Sequence, residues 1–235
     1  MRVAVMSDIH GFSLALDAVT SDIERHGLFD AVVVAGDLCA VGPDPAGVIE
    51  RLRARPDWVV LKGNTDDDIV QAATRREMWF PVAEIGREGA AFLEDLPLIT
   101  RYFPPGSVDD DQSLLVVHAN PHDLTGRLDP ESSDRELREV LGDARFDTIA
   151  FGHVHIAYQR ELDGRKLVDV SAVGNPKDGS LRSAWGEFTW DTNTGYWTST
   201  IHRTDYPLAE TERQIRDSRL PSPDKVLQKL IRARY

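Results

Sequence analysis

Five short segments of this 235-residue chain carry side chains that bind cations or move protons. Asp8-Ile9-His10 offers a carboxylate and an imidazole two residues apart. On an extended segment, residues i and i+2 point the same way, so both can face one cation. Gly36-Asp37 places a carboxylate after a residue that lets the backbone turn tightly, and its two oxygens can bridge two cations. Gly63-Asn64-Thr65-Asp66 offers an amide oxygen for a hard cation and an amide N–H for a phosphoryl oxygen. His118 stands alone, whereas Gly152-His153-Val154-His155 repeats the i, i+2 spacing with two imidazoles.

Each segment taken singly has a structural reading. Asp-x-His and Gly-Asp are ordinary turn sequences, and Asp66, Asp67 and Asp68 read as the favourable negative start of a helix. A lone histidine at a strand end is usually structural. The combination argues otherwise. All five segments follow apolar, strand-like runs, and ligand sites in α/β sheets gather at the carboxyl ends of strands. Four of the seven histidines fall in these segments. Of the other three, His26 and His202 read as structural or surface residues, and His122 lies four residues after His118.

The positioning elements are legible in the same runs. They are Val3–Met6, Ala31–Ala35, Trp58–Leu61, Leu114–Val117 and Thr148–Phe151. Apolar runs without polar alternation predict strands covered on both faces. Between them, residues 13–26 predict a helix with Ser13 as N-cap and Leu14, Ala18, Val19 and Ile23 on one face. Residues 84–95 predict another, around Ile85, Phe92 and Leu93. Ser133-Asp134-Arg135-Glu136 reads as a capping box, with Gly142 ending the helix it opens. Strands alternating with helices predict an α/β protein.

After residue 165 the pattern becomes all-β. Residues 166–172, 184–191 and 196–202 read as successive strands of a meander, with Asn193-Thr194-Gly195 turning between the last two. Asp109-Asp110-Asp111 reads as a solvated turn. From Thr204 the chain is polar, and residues 224–234 predict a helix with an apolar stripe of Val226, Leu227, Leu230 and Ile231. That stripe suits packing on the body or on another subunit, so a homo-oligomer is one expectation.

The 41% hydrophobic content supports a sizeable core. The single cysteine, Cys39, leaves no disulfide framework within the chain, and no apolar stretch approaches the roughly 18 residues of a membrane span. A cytoplasmic protein without a membrane partner is the expectation. The net charge of −12 disfavours non-specific binding to a phosphate backbone, so nucleic acid is not an expected partner. A small phosphoester remains compatible, because bound cations reverse the local field.

In order and spacing, the five segments resemble the calcineurin-like metallophosphoesterase superfamily, whose pattern runs Asp-x-His, Gly-Asp, Gly-Asn-His-Asp/Glu, His, Gly-His-x-His. The match spans residues 8–155. Ser171-Ala172-Val173-Gly174-Asn175-Pro176-Lys177-Asp178-Gly179 further resembles a stretch of the small bacterial and archaeal phosphodiesterase-like branch. The resemblance implies a four-layer α-β-β-α sandwich of two mixed sheets. It implies a phosphoesterase domain over residues 1–203, leaving 204–235 as a helical extension packed on the domain or on a partner subunit.

It also implies two divalent or transition metal ions, with Mn first and Fe, Zn or Ni as alternatives. Asp8, His10 and His155 would hold one ion, Asn64, His118 and His153 the other, and Asp37 would bridge them. The implied chemistry is phosphodiester hydrolysis by a hydroxide held between ions about 3.5–4 Å apart. A phosphomonoesterase, a protein phosphatase and a non-catalytic scaffold are the alternatives. One position departs from the pattern. Thr65 stands where the family has the histidine that contacts phosphate or protonates the leaving group, and threonine cannot act as a general acid near pH 7. Asp66, which orients that histidine in the family, is thereby left without an assigned task. His122 is one candidate for the missing proton donor and a surface loop residue is the competing reading.

Overall fold

The computed structural model describes residues 1–71 and 78–235. Its first sheet comprises β1 (Arg2–Met6), β2 (Ala31–Val34), β3 (Val59–Val60), β9 (Ser183–Asp191) and β10 (Tyr196–Thr204), in the order β10-β9-β1-β2-β3. The second comprises β4 (Ile99–Tyr102), β5 (Leu114–Val117), β6 (Thr148–Phe151), β7 (Tyr158–Leu162) and β8 (Arg165–Asp169), in the order β4-β5-β6-β8-β7. Each is mixed. β1, β2 and β3 run parallel, as do β5, β6 and β8, and the remaining pairings are antiparallel.

Side-chain alternation explains the layering. Val3 and Val5 of β1 point between the sheets, where they meet Leu114, Val116, Ala150 and Val168 of the second sheet. Ala4 and Met6 point outward into a second core. That core is closed by α1 (Ser13–Arg25), α2 (Pro45–Arg53), α4 (Trp79–Glu94), α6 (Leu208–Asp217) and α7 (Pro223–Arg232). On the far side, Leu115, Val117, Ile149 and Phe151 pack against Leu137 and Leu141 of α5 (Asp134–Leu141). The strands are covered on both faces, as their unbroken apolar runs require. The architecture is the expected four-layer sandwich. No helix among the described residues is long and apolar enough to cross a membrane.

Several local expectations need correction. Ser13 is not the cap of α1: Phe12 occupies that position, and the Ser13 hydroxyl instead donates to Asp44 Oδ2 at 2.5 Å. The buried face of α1 is Ala15, Leu16, Val19 and Ile23, with Leu14 and Ala18 only half-buried. α4 begins earlier than periodicity indicated and breaks at Gly86, whose φ of 61° lies outside the helical region. The capping box holds: Ser133 and Glu136 exchange hydrogen bonds, and Gly142 ends α5 at a φ of 54°. The meander does not form. β8 joins the second sheet beside β6, whereas β9 and β10 cross to the first sheet beside β1. The stripe of α7 packs on the body of the chain: Leu227 and Leu230 are buried with Ile215 of α6, while Ile231 stays exposed.

Candidate metal centre

The parallel strands of both sheets release their carboxyl ends along one edge, and the five segments lie just past those ends. Asp8 and His10 follow β1, and Asp37 follows β2. Asn64 opens α3 (Asn64–Gln71) just after β3. His118 follows β5, and His153 and His155 follow β6. The side chains do not converge by extended alternation, as spacing alone implied. Asp8, His10, Asp37, His153 and His155 all have φ between 52° and 68°. Non-glycine residues in this left-handed region cost about 1–3 kcal/mol each and persist only where the surroundings impose them.

The surroundings are visible. Asp8 N–H donates to Gly36 O at 3.0 Å, His10 N–H to Asp37 O at 2.8 Å, and Gly11 N–H to Leu38 O at 2.7 Å. The β1 and β2 loops are thus laced together. His153 N–H donates to Asp8 Oδ2 at 2.9 Å, joining the second sheet to the first. Two glycines permit the approach. A Cβ on Gly63 would stand 2.2 Å from both the Asp37 amide nitrogen and Oδ1, and one on Gly152 would stand 2.2 Å from Asp8 Oδ2.

Each imidazole is oriented by a backbone carbonyl. His10 Nδ1 lies 3.1 Å from Ala40 O, His118 Nδ1 2.8 Å from Ala35 O, and His155 Nδ1 2.6 Å from Asn175 O. A carbonyl only accepts, so each Nδ1 carries a proton, and in its neutral form each ring turns an Nε2 lone pair inward. His153 is reversed: its Nε2 reaches Thr125 O at 3.2 Å, leaving Nδ1 as the free donor atom.

The inward atoms form two groups. Asp8, His10 and His155 converge, with His155 Nε2 at 3.1 Å from both His10 Nε2 and Asp8 Oδ1. Asp8, Asp37 and His118 form the second group. Asn64 Oδ1 stands 3.0 Å from His118 Nε2, and the His153 ring lies 5.1 Å from the His118 ring. Asp37 reaches both sides, with Oδ2 3.6 Å from His10 Nε2 and Oδ1 3.5 Å from His118 Nε2.

This donor set suits cations. With both rings neutral, two Nε2 lone pairs 3.1 Å apart cannot hydrogen-bond to each other, and the buried Asp8 Oδ1 accepts no hydrogen bond. A positive charge between them satisfies all three. Electrostatics agree. Burial opposes ionisation of Asp8, but the imidazoles of His155, His118 and His10 outweigh it and hold its pKa below the ordinary carboxylate range. Burial likewise opposes charging of His118 and His155, and the carboxylates of Asp37 and Asp8 outweigh it, raising both. Burial dominates at His10, whose pKa falls to about 4 despite the pull of Asp37. His and carboxylate ligands together fit Mn²⁺, Fe, Zn²⁺ or Ni²⁺.

The model of the calcineurin-like phosphoesterase superfamily domain matches residues 1–187. The chain belongs to that superfamily. The chain is 25% identical over 244 residues to protein MJ0912 of Methanocaldococcus jannaschii, itself uncharacterised, and the match spans 93% of each chain. The structure of a metallophosphoesterase from Sphaerobacter thermophilus aligns with a TM-score of 0.77 at 23% identity, covering 99% of this chain and 100% of the other. Protein PH1004 of Pyrococcus horikoshii aligns with a TM-score of 0.80 at 17% identity, covering 99% and 98%. At these identities the two structures speak for the fold alone.

Three sequence-derived assignments look different in the structure. Asp66 does not face the reacting side. Its Oδ2 accepts from Asp37 N–H at 2.8 Å and Gly63 N–H at 2.9 Å, and its Oδ1 from Leu38 N–H at 2.9 Å. It is the clamp that fixes Asp37 against Asn64. Thr65 contributes its backbone, donating N–H to Asp37 Oδ1 at 2.9 Å, while its buried hydroxyl meets no partner. The His122 ring is engaged by a helix end. Its Nε2 lies 2.9 Å from Leu141 O, where α5 ends. The ring ties a loop to a helix end. His122→Ala should therefore leave kcat on an alkyl-leaving-group diester within about twofold and cost about 1 kcal/mol of stability. Steady-state turnover and thermal melting read both quantities.

Sequence reasoning missed the braces. Ser171–Gly179 wraps beneath His155: Asn175 O orients its ring, Ser171 Oγ donates to His155 O at 3.0 Å, and Lys177 N–H donates to the same carbonyl at 2.8 Å. Gly174 N–H also donates to Asp8 O at 2.9 Å. The buried Asn120 organises the loop that carries Thr125: its Oδ1 accepts from His122 and Asp123 N–H, and its Nδ2 donates to Gly126 O. Asn120 follows the candidate ligand His118 by two residues, which was the available signal.

Proposed function

We propose that this chain hydrolyses phosphodiesters with a stable leaving group, such as aryl or nucleotide esters, at a two-metal centre. The observation that carries the reading is Asp37, whose two oxygens face His10 on one side and His118 on the other. Asp8, His10 and His155 would hold one ion, and Asn64, His118 and His153 the other. Bound there, the ions supply an activated water and neutralise charge on the phosphoryl oxygens.

The chain's own residues do the remaining work. The carbonyls of Ala40, Ala35 and Asn175 hold three imidazoles in the tautomer that offers Nε2. Asp66 and Thr65 N–H hold Asp37 so that both its oxygens point into the centre. The Asn64 amide, adjacent to His118, supplies an N–H for a phosphoryl oxygen. No proton donor stands at position 65, and His122 is tied elsewhere, so the leaving group must depart without help from either. That favours phenolate or phosphate-like leaving groups over alkoxides.

Chelation should abolish activity, and Mn²⁺ should restore it to the stripped protein. Bis(p-nitrophenyl) phosphate should be cleaved faster than p-nitrophenyl phosphate. Faster cleavage of the monoester would replace this reading with a phosphomonoesterase. Inactivity on both after reconstitution with Mn²⁺, Ni²⁺, Zn²⁺ or Fe²⁺ would count against hydrolysis of simple esters.

A further inference from the structure

Residues 233–235 reach three segments that position the histidines past β6. The Tyr235 hydroxyl donates to Val154 O at 2.6 Å, and Val154 lies between His153 and His155. Ala233 O accepts from Gly179 N–H at 2.8 Å, in the loop whose Asn175 carbonyl orients His155. The Arg127 guanidinium stands 5.4 Å above the Tyr235 ring, and Arg127 lies two residues past Thr125, whose carbonyl orients His153. The chain is steered there by Ala233 itself, buried to 2% exposure and held at a φ of 47° where α7 ends. A non-glycine residue keeps that conformation only when its surroundings impose it.

The Gly152–His155 loop needs such support. His153 and His155 are both left-handed, at φ of 68° and 57°, and Val154 between them is buried. We propose that Tyr235 is a positioning residue for His153 and His155. Its hydroxyl fixes the peptide between them and so sets how well both imidazoles present to metal. The proposal rests on the two-metal reading above. Tyr235 acts through the loop and touches neither metal nor substrate, so its contribution belongs in metal affinity ahead of turnover.

The test is calorimetric titration of the metal-stripped full chain with Mn²⁺, comparing wild type, Tyr235→Phe, Tyr235→Ala and Tyr196→Phe. Tyr235→Phe keeps the ring beneath Arg127 and removes only the hydroxyl. It should weaken Mn²⁺ binding about tenfold, the lower end of what losing a partner behind a metal ligand costs. Its melting temperature should stay close to that of the wild type. Tyr235→Ala should weaken binding at least as much, and Tyr196→Phe, an exposed tyrosine of β10, should bind as wild type does. Wild-type affinity in Tyr235→Phe would overturn the proposal, as would a lowered melting temperature with unchanged affinity. A wild-type chain that takes up no metal would overturn the two-metal reading itself, a result distinct from either.

Discussion

Asp37→Asn is expected to lower kcat by at least about 10³-fold while leaving the chain folded. The two oxygens of Asp37 have different obligations. Oδ1 accepts the Thr65 N–H and faces His118, and Oδ2 faces His10. An asparagine must turn its carbonyl oxygen toward the Thr65 N–H, because its amide nitrogen cannot accept there. The NH₂ group then points at His10, where a cation ligand is needed. One side of the centre survives and the other is lost, so bound Mn²⁺ should fall from two ions to one. Elemental analysis of the variant beside a diester assay checks both parts. Retention of two ions with normal turnover would remove Asp37 from the bridging position.

The second large effect belongs to a residue without chemistry of its own. Asp66→Asn should destabilise the chain by about 3 kcal/mol and reduce activity as well. The buried carboxylate accepts three backbone N–H groups, two on Oδ2 and one on Oδ1. Either orientation of an amide sets an NH₂ against at least one of those donors. Losing a buried hydrogen bond to a charged acceptor costs about 1.5–3 kcal/mol, and a stranded donor adds its desolvation penalty. The freed amide is that of Asp37 or Leu38, or of Gly63 beside Asn64, so the loop bearing the bridging carboxylate shifts. Burial and the adjacent Asp37 charge raise the Asp66 pKa to about 7, while the amides of Gly63 and Leu38 pull it down. Denaturant unfolding gives the stability change. A variant as stable as wild type would show that the clamp is dispensable.

Much of this centre could be read from residue types, because chemistry restricts them. Carboxylates and imidazoles seldom stand together after five separate apolar runs unless something holds them there. Asp8, His10, Asp37, Asn64, His118, His153 and His155 all lie at one edge of the sandwich. Apolar runs also located β1, β2, β5 and β6, whose strands are covered on both faces. β4 and β7 escaped because they are edge strands: Tyr158-Gln159-Arg160-Glu161 alternates between half-buried and exposed positions, and only Leu162 at the end is buried. Such alternation reads as loop to a search for unbroken apolarity.

Other features depend on long-range partners that sequence does not display. The left-handed backbone at five residues of the centre is imposed by hydrogen bonds between loops far apart in the chain. Spacing therefore singled out residues that do gather at one edge, but for an incomplete reason. The distribution of β8, β9 and β10 between two sheets is likewise a matter of partner choice, and a meander was the local reading of the same strands. His122 was a candidate only by its nearness in sequence to His118, and its Nε2 contact with Leu141 O is a long-range partner that sequence does not display. Asp66 changed role because the family histidine it would orient is absent, whereas the backbone amides it binds are supplied by any sequence.

The most direct test of the two-metal centre is an anomalous difference map from crystals of the full chain soaked in Mn²⁺. The geometry predicts two peaks about 3.5–4 Å apart, with Asp37 between them, Asp8, His10 and His155 around one, and Asn64, His118 and His153 around the other. A single peak, or two peaks that Asp37 does not join, would contradict it.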